Sequence, residues 1–180
     1  MALKSYMDEL KVIKRGEYYL TPLAEKHIDE LLKVLSDENV EEIALLGYSN
    51  PRHALTEMYE GAEAYIVRKG NSPPLCVGGI FYDKADDIPQ MFAMFSKDMK
   101  NNFHAISRGS KMFVNFFDQS HDAMTMTILA KFSPMLNWAA WLGFEPVGIT
   151  EHRKNEYVEF VRCNPLRKNV SDELSRPVMH

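Results

Sequence analysis

The spacing of apolar residues changes partway along this chain. From Leu23 to about residue 61 they recur at helical intervals, and from Ala64 onward they gather into short, dense runs. Leu23, His27, Leu31, Leu32 and Leu35 predict a first helix, with Thr21 as its N-cap and Pro22 at its first position, following a short strand at Tyr18–Leu20. Glu25 places a negative charge at the positive end of that helix. Val40, Ile43, Ala44 and Leu46 predict a second helix closing at Gly47. Asn50-Pro51 opens a third through Ala54, Leu55 and Met58. Ala64–Val67 and Leu75–Tyr82, separated by Gly70-Asn71-Ser72-Pro73-Pro74, predict an antiparallel hairpin. After a polar connection, Gln90–Phe95 is a strand with almost no polar interruption, the pattern of a strand covered on both faces.

A polar stretch, Lys97–Asn102, then precedes a helix carrying Ile106, Phe113, Phe116 and Phe117. Met124–Leu129 predicts another strand. Ser133, read as a plain N-cap, and Pro134 open a helix over Met135–Leu142 that Gly143 stops. Val147–Thr150 and Tyr157–Arg162 predict two closing strands around a charged turn. The order is β-ααα-ββ-β-α-β-α-β-β: a single α/β domain over residues 1–163, a mixed sheet flanked by helices, with a loose polar tail from 164 to 180.

Composition narrows the function classes. The chain has 180 residues, 46% of them hydrophobic and 26% charged, which suits one folded domain. Its net charge of −4 argues against broad nucleic-acid binding. No apolar run approaches a membrane span, and the start lacks the apolar stretch of a secretory signal, so the expected compartment is the cytosol. Cys76 and Cys163, isolated from one another, read as small buried hydrophobes, and no His/Cys spacing suggests a metal site.

The stretch Asn137-Trp138-Ala139-Ala140-Trp141-Leu142-Gly143-Phe144-Glu145-Pro146-Val147-Gly148 resembles the last helix and following strand of GNAT acyltransferases. With Glu41-Glu42-Ile43, Gly47, Asn50 to Leu55, Cys76 to Ile80 and Ser107 to Lys111, the ordered series is similar to GNAT-like proteins of tailed bacteriophages. Some of those are described as internal virion proteins and others as acetyltransferases. The resemblance implies a partner that is a virion or host protein, a location in the host cytoplasm or the virion, a homo-oligomer as a compatible state, and acetyl-CoA as the cofactor to test.

An enzyme of that kind holds a pyrophosphate, accepts a proton from the attacking amine and returns one to the leaving thiolate. By the resemblance, a Gly-rich loop after the central strand does the first job, yet Ser96 to His104 contains no glycine. Phe95, Ser96, Lys97, Asn101, Asn102 and Phe103 are the cofactor-binding candidates, in a cleft expected between the strands Gln90–Phe95 and Met124–Leu129. Arg108-Gly109-Ser110-Lys111 offers a glycine among cations but falls inside the helix, where it reads as a packing position. The Tyr expected as general acid is replaced by Ala139, and the Asn expected near the helix start by Phe132. Tyr157 is the substitute catalytic candidate, against its reading as a half-buried strand aromatic. Gln90–Phe95 carries no carboxylate to act as base; Asp86, Asp87 and Asp98 lie outside it. The expectation is a GNAT scaffold with weakened or lost chemistry, serving as a virion-associated or host-interacting protein. The alternative is an active acetyl-CoA-dependent N-acetyltransferase acting on a protein or small-molecule amine. The abundant Met reads as core, and Trp138 and Trp141 as one buried and one partly exposed ring, the latter an interface anchor.

Overall fold

The computed structural model describes residues 13–82 and 88–165. They form two compact units, one of residues 13–82 and 91–109, the other of 88–90 and 110–165. Asp86, Asp87 and most of the polar tail lie outside the described residues.

The first unit contains strands β1 (Ile13–Arg15), β2 (Tyr18–Pro22), β3 (Ala62–Lys69), β4 (Cys76–Phe81) and β5 (Gln90–Phe95), adjacent in that order. Helices α1 (Lys26–Val34), α2 (Asp37–Leu45) and α3 (Pro51–Gly61) precede β3. The β3–β4 pair is the predicted antiparallel hairpin, with Tyr65 facing Gly78 and Ile66 facing Val77. Leu31, Leu35, Ile43, Leu55, Ile66 and Val77 belong to one buried apolar cluster, which is where the helical periodicity of the first third is satisfied. Asn50 caps α3 as expected, its side chain accepting from Arg52 N–H at 2.9 Å.

The start of α1 differs from the sequence expectation. Thr21 and Pro22 are strand residues, facing Ile66 and Tyr65 across the β2–β3 ladder. Cross-strand pairing there outweighs the local helix-start signal. The helix begins at Lys26, and its cap is improvised: the buried His27 accepts the Ala24 N–H through Nδ1 at 3.0 Å. That bond places the ring proton on Nε2. Ser36 caps α2, accepting from Asn39 N–H.

The second unit contains β6 (Ala123–Leu129), β7 (Glu145–His152) and β8 (Asn155–Cys163), ordered β6–β8–β7 with antiparallel pairing throughout. Gln90, the one β5 residue that belongs to this unit, faces Thr125 in parallel, so the strand set is mixed. Helix α4 (Phe103–Asp118) contributes its C-terminal part, and α5 (Ser133–Trp141) packs against β6 and β7. The N-cap of α5 is Phe132, with no side-chain cap bond, so Ser133 is a first-turn residue rather than the expected cap.

Gly143 ends α5 at φ +88°, a conformation open to glycine. A Cβ there would also collide with the Arg162 guanidinium. Arg162 donates to the Leu142 carbonyl at 2.8 Å and pairs with Asp118 at 2.6 Å. The cation thus closes the helix C-terminus, where the dipole favours it, and neutralises a carboxylate that is 5% exposed. Asn164, expected to begin the loose tail, is instead buried, donating to the Asp118 and His121 carbonyls. Cys163 is exposed, against expectation, because β8 turns its last residue outward; Cys76 is half-buried, and burial pushes its thiol up to about 12.

Met91, Met94, Met124 and Met126 are buried, as expected of core methionines. Trp138 is buried while Trp141 is 47% exposed, with the Lys111 ammonium 4.5 Å from its ring centroid.

Candidate functional site

Strand β5 spans the predicted residues, Gln90–Phe95, and leads through a 3-10 helix (Lys97–Asn102) directly into α4. No glycine interrupts this path, so the main chain keeps helical hydrogen bonding from its first turn. Met99 N–H already donates to the Ser96 carbonyl at 3.0 Å. The open, positive end of the helical run is therefore at Lys97 and Asp98, and the Asp98 carboxylate sits in that first turn. An incoming phosphate would meet a resident negative charge there.

The six cofactor-binding candidates separate into two places. Phe95 and Ser96 are buried at the strand end and tied to the α1–α2 corner. Phe95 N–H donates to Asn39 Oδ1 at 2.7 Å, and Phe95 C=O accepts from Ser36 N–H at 2.9 Å. Ser96 N–H donates to the Leu75 carbonyl at 2.9 Å, and Leu35 and Ser96 form an isolated antiparallel bridge. Lys97 pairs with Asp37 of α2 at 3.0 Å on the surface. The second place is a cavity of about 450 Å³ in the first unit, lined by Tyr18 and Met99 to Ala105. Asn101, Asn102 and Phe103 line it; Phe95, Ser96 and Lys97 do not. Asn102 is held by its own turn, donating to the Asp98 carbonyl at 3.1 Å, and Tyr18 reaches it at 3.4 Å. Phe103 is 50% exposed at the rim.

Ser36, Asn39 and Tyr18 were not singled out by sequence reasoning. Ser36 followed by acidic residues is a readable cap signal, but the bond from Asn39 to Phe95 spans 56 positions and leaves no local trace. Ser96 Oγ is the one polar atom of this segment buried without a hydrogen-bond partner.

Tyr157 lies on β8 in the second unit and is 3% exposed, its ring 6.4 Å from that of His152. Ala139 is fully buried on α5. Gly109 falls within α4, with open space where a Cβ would stand, so neither a tight turn nor a close approach calls for glycine there. On β3, Glu63 accepts from Tyr65 and Tyr82 hydroxyls at 3.0 and 3.3 Å; burial and the carboxylate raise both phenol pKa values, Tyr82 to about 12. That cluster is a carboxylate held between two protonated phenols. Among the described residues no group of three or more His, Cys, Asp or Glu is arranged to hold a metal ion, and no helix is long and apolar enough to cross a membrane.

No protein-family model matches the chain, and no curated protein matches it. Solved structures do. An acetyltransferase of the GNAT family from Bacillus anthracis superposes with a TM-score of 0.65 at 13% identity, over 86% of this chain and 99% of that one. An aminoglycoside N(6')acetyltransferase from Legionella pneumophila gives 0.66 at 12% identity, over 88% and 98%. The spermidine N-acetyltransferase of Vibrio cholerae, solved with CoA and spermine, gives 0.66 at 7% identity, over 83% and 97%. The chain has the fold of GNAT acetyltransferases.

Proposed function

We propose that this protein uses the GNAT fold for binding a virion or host protein, with acetyl transfer weakened or lost. The observation that carries the proposal is the saturated end of β5. The arm of coenzyme A is a chain of amides, and a strand end recognises amides through free N–H and C=O groups. Phe95 spends both of its groups on Asn39 and Ser36. The strand then runs into a glycine-free helical turn with an acidic residue at its positive end, rather than an open nest of N–H groups. Ala139 has no proton to donate, and the buried Tyr157 is not presented to solvent. The phage and virion part of the proposal rests on the sequence resemblance, as does residence in the host cytoplasm or the particle.

A second reading, an acetyl-CoA-dependent N-acetyltransferase, is favoured by one specific feature. The cavity of about 450 Å³ lies against Asn101, Asn102 and Phe103, and Lys100 lines it with a cation suited to a phosphate. CoA bound to the Vibrio cholerae enzyme makes the same cofactor the natural ligand to test. On this reading those residues, with Phe95, Ser96 and Lys97, bind the cofactor, which when bound would supply the activated acetyl thioester; Tyr157 is the remaining candidate for returning a proton.

Calorimetric titration with acetyl-CoA, a thermal-shift scan and a free-thiol assay with spermidine and a lysine peptide decide between the two. The proposal expects no heat, no shift and no thiol release at millimolar cofactor. A ligand at a hundred times its Kd would stabilise the fold by about 2.7 kcal/mol. One-to-one binding with thiol release overturns the proposal in favour of the enzyme. Mass spectrometry of purified virions tests the partner class: absence from the particle and from any complex with a host protein removes that half.

A further inference from the structure

The run from Met99 to Phe117 contains no Asp or Glu, in a chain whose net charge is −4. The part of it in the first unit carries Lys100, His104 and Arg108, all exposed, at every fourth position along the 3-10 helix and α4. Four other cations of that unit, Arg52, Arg68, Lys69 and Lys97, are paired with Asp29, Glu30, Glu17 and Asp37. Among the described residues, neither Lys100 nor Arg108 has an acidic partner. A row of small residues runs beside these groups. Ala105 and Gly109 are neighbours on one face of α4, and both are partly accessible. Glycine inside a helix weakens it relative to alanine. A Cβ at Gly109 would meet nothing within 4 Å, so no contact within the chain requires the glycine.

We propose that this face of the helical run binds an extended acidic peptide of a partner protein, with carboxylates at alternate positions meeting Lys100, His104 and Arg108. Spacing carries the choice. Four residues of an α-helix rise about 6 Å, and slightly more where a 3-10 turn is included. Alternate side chains of an extended chain point the same way and lie about 6.5–7 Å apart. Carboxylates at every second position therefore keep step with basic groups at every fourth. Arg108 offers a fork of donors, Lys100 an ammonium and His104 a ring N–H. Lys100 and His104 line the same cavity, of about 450 Å³, so their two contacts open onto shared space. Ala105 and Gly109 let the peptide main chain approach the helix closely, which gives the glycine a reason that the fold does not. A nucleic-acid strand would meet the same cations, but the negative charge of the whole chain opposes a long polyanion more than a short peptide. The surface supplies the chemistry of the partner proposed above and rests on that reading.

Fluorescence anisotropy on the full chain at low salt reads the binding, with two labelled, end-capped peptides of equal charge. One is Glu-Ser-Glu-Ser-Glu-Ser and the other Glu-Glu-Glu-Ser-Ser-Ser. The expected result is several-fold tighter binding of the alternating peptide, weakening as salt rises because exposed charges are screened. Lys100→Gln and Arg108→Gln are each expected to weaken it about two- to fivefold, and Lys33→Gln, an exposed cation on α1, to leave it unchanged. Gly109→Leu is expected to remove the preference for the alternating peptide while the melting temperature holds or rises. No binding of the alternating peptide, equal binding of both peptides, or an equal loss with Lys33→Gln overturns the proposal. Tighter binding of a thymidine oligonucleotide, lost in the same variants, overturns it in favour of a phosphate ligand. Silence toward the peptides together with silence toward acetyl-CoA strikes this surface alone, whereas thiol release from acetyl-CoA strikes the reading on which it rests.

Discussion

The end of β5 in the first unit and the edge of β7 in the second meet the same requirement in opposite ways. Both are strand main chain whose N–H and C=O groups need partners. At Phe95 the partners come from within, the Asn39 side chain and the Ser36 N–H, and the result is buried. At β7 the outer side has no strand neighbour among the described residues, and two apolar side chains stand in solvent beside it. The difference teaches where to look for function. A strand end closed by its own chain has little left to offer a ligand, whereas an edge strand keeps main-chain groups that another strand can meet.

The same contrast extends to what supports each place, and it can be broken at several points. The largest effect is expected at the end of β8, where Arg162 joins Asp118 to the end of α5. Asp118→Ala leaves the guanidinium nearly buried without its counter-charge and is expected to cost about 3–5 kcal/mol, measured by urea unfolding. A loss under 1 kcal/mol would mean that water replaces the carboxylate.

At the β5 end, the Asn39 side chain is the partner of the Phe95 N–H. Asn39→Ala strands a buried Phe95 N–H and should cost about 1–3 kcal/mol in the same measurement. On the proposed reading, in which that bond keeps acetyl-CoA out, the variant should gain heat with acetyl-CoA relative to the wild type. An unchanged titration would show that the Asn39–Phe95 bond does not control cofactor access.

Further from either place, Asn50→Ala removes the α3 cap and should cost about 1 kcal/mol, with Asn50→Asp close to neutral, read from melting temperatures. The smallest effect is a pH dependence at α1. Burial, and then the nearby Arg68, hold the His27 pKa below 6.5. The unfolded chain therefore takes up the proton first as pH falls, so this contribution is complete above pH 6.5 and declines below it toward the lowered folded value. At pH 6 the loss should be under about 1 kcal/mol, and His27→Gln should flatten the stability curve between pH 7 and 5.5.

Much of the architecture was legible from residue spacing. The apolar run Gln90–Phe95 marked a central strand to the residue, Asn50-Pro51 marked the start of α3, and Gly143 marked the end of α5. Each of these signals is local: side-chain periodicity, a cap's own hydrogen bond, a backbone angle reserved for glycine. The element order followed from them, the resemblance to GNAT acyltransferases rested on the stretch from Asn137 to Gly148, and the fold agrees with both. Of the residues singled out for a cofactor, Asn101, Asn102 and Phe103 come together around one cavity, a grouping that their closeness in sequence already implied.

What tertiary structure alone decided lies where a distant partner outbids a local preference. Thr21 and Pro22 carry a helix-start signature, yet the ladder to Ile66 and Tyr65 makes them strand. Asn164 looks like the start of a tail until two carbonyls from the α4–β6 connection bind its side chain. Phe95 and Ser96 read as open to a cofactor until Asn39, Ser36 and Leu75 are found on them. Hydrophobic periodicity is a property of neighbours a few residues apart, so the chain declares it in its own order. The choice of which donor meets which acceptor across 40 to 60 residues depends on how the elements pack, and only the folded molecule contains that information.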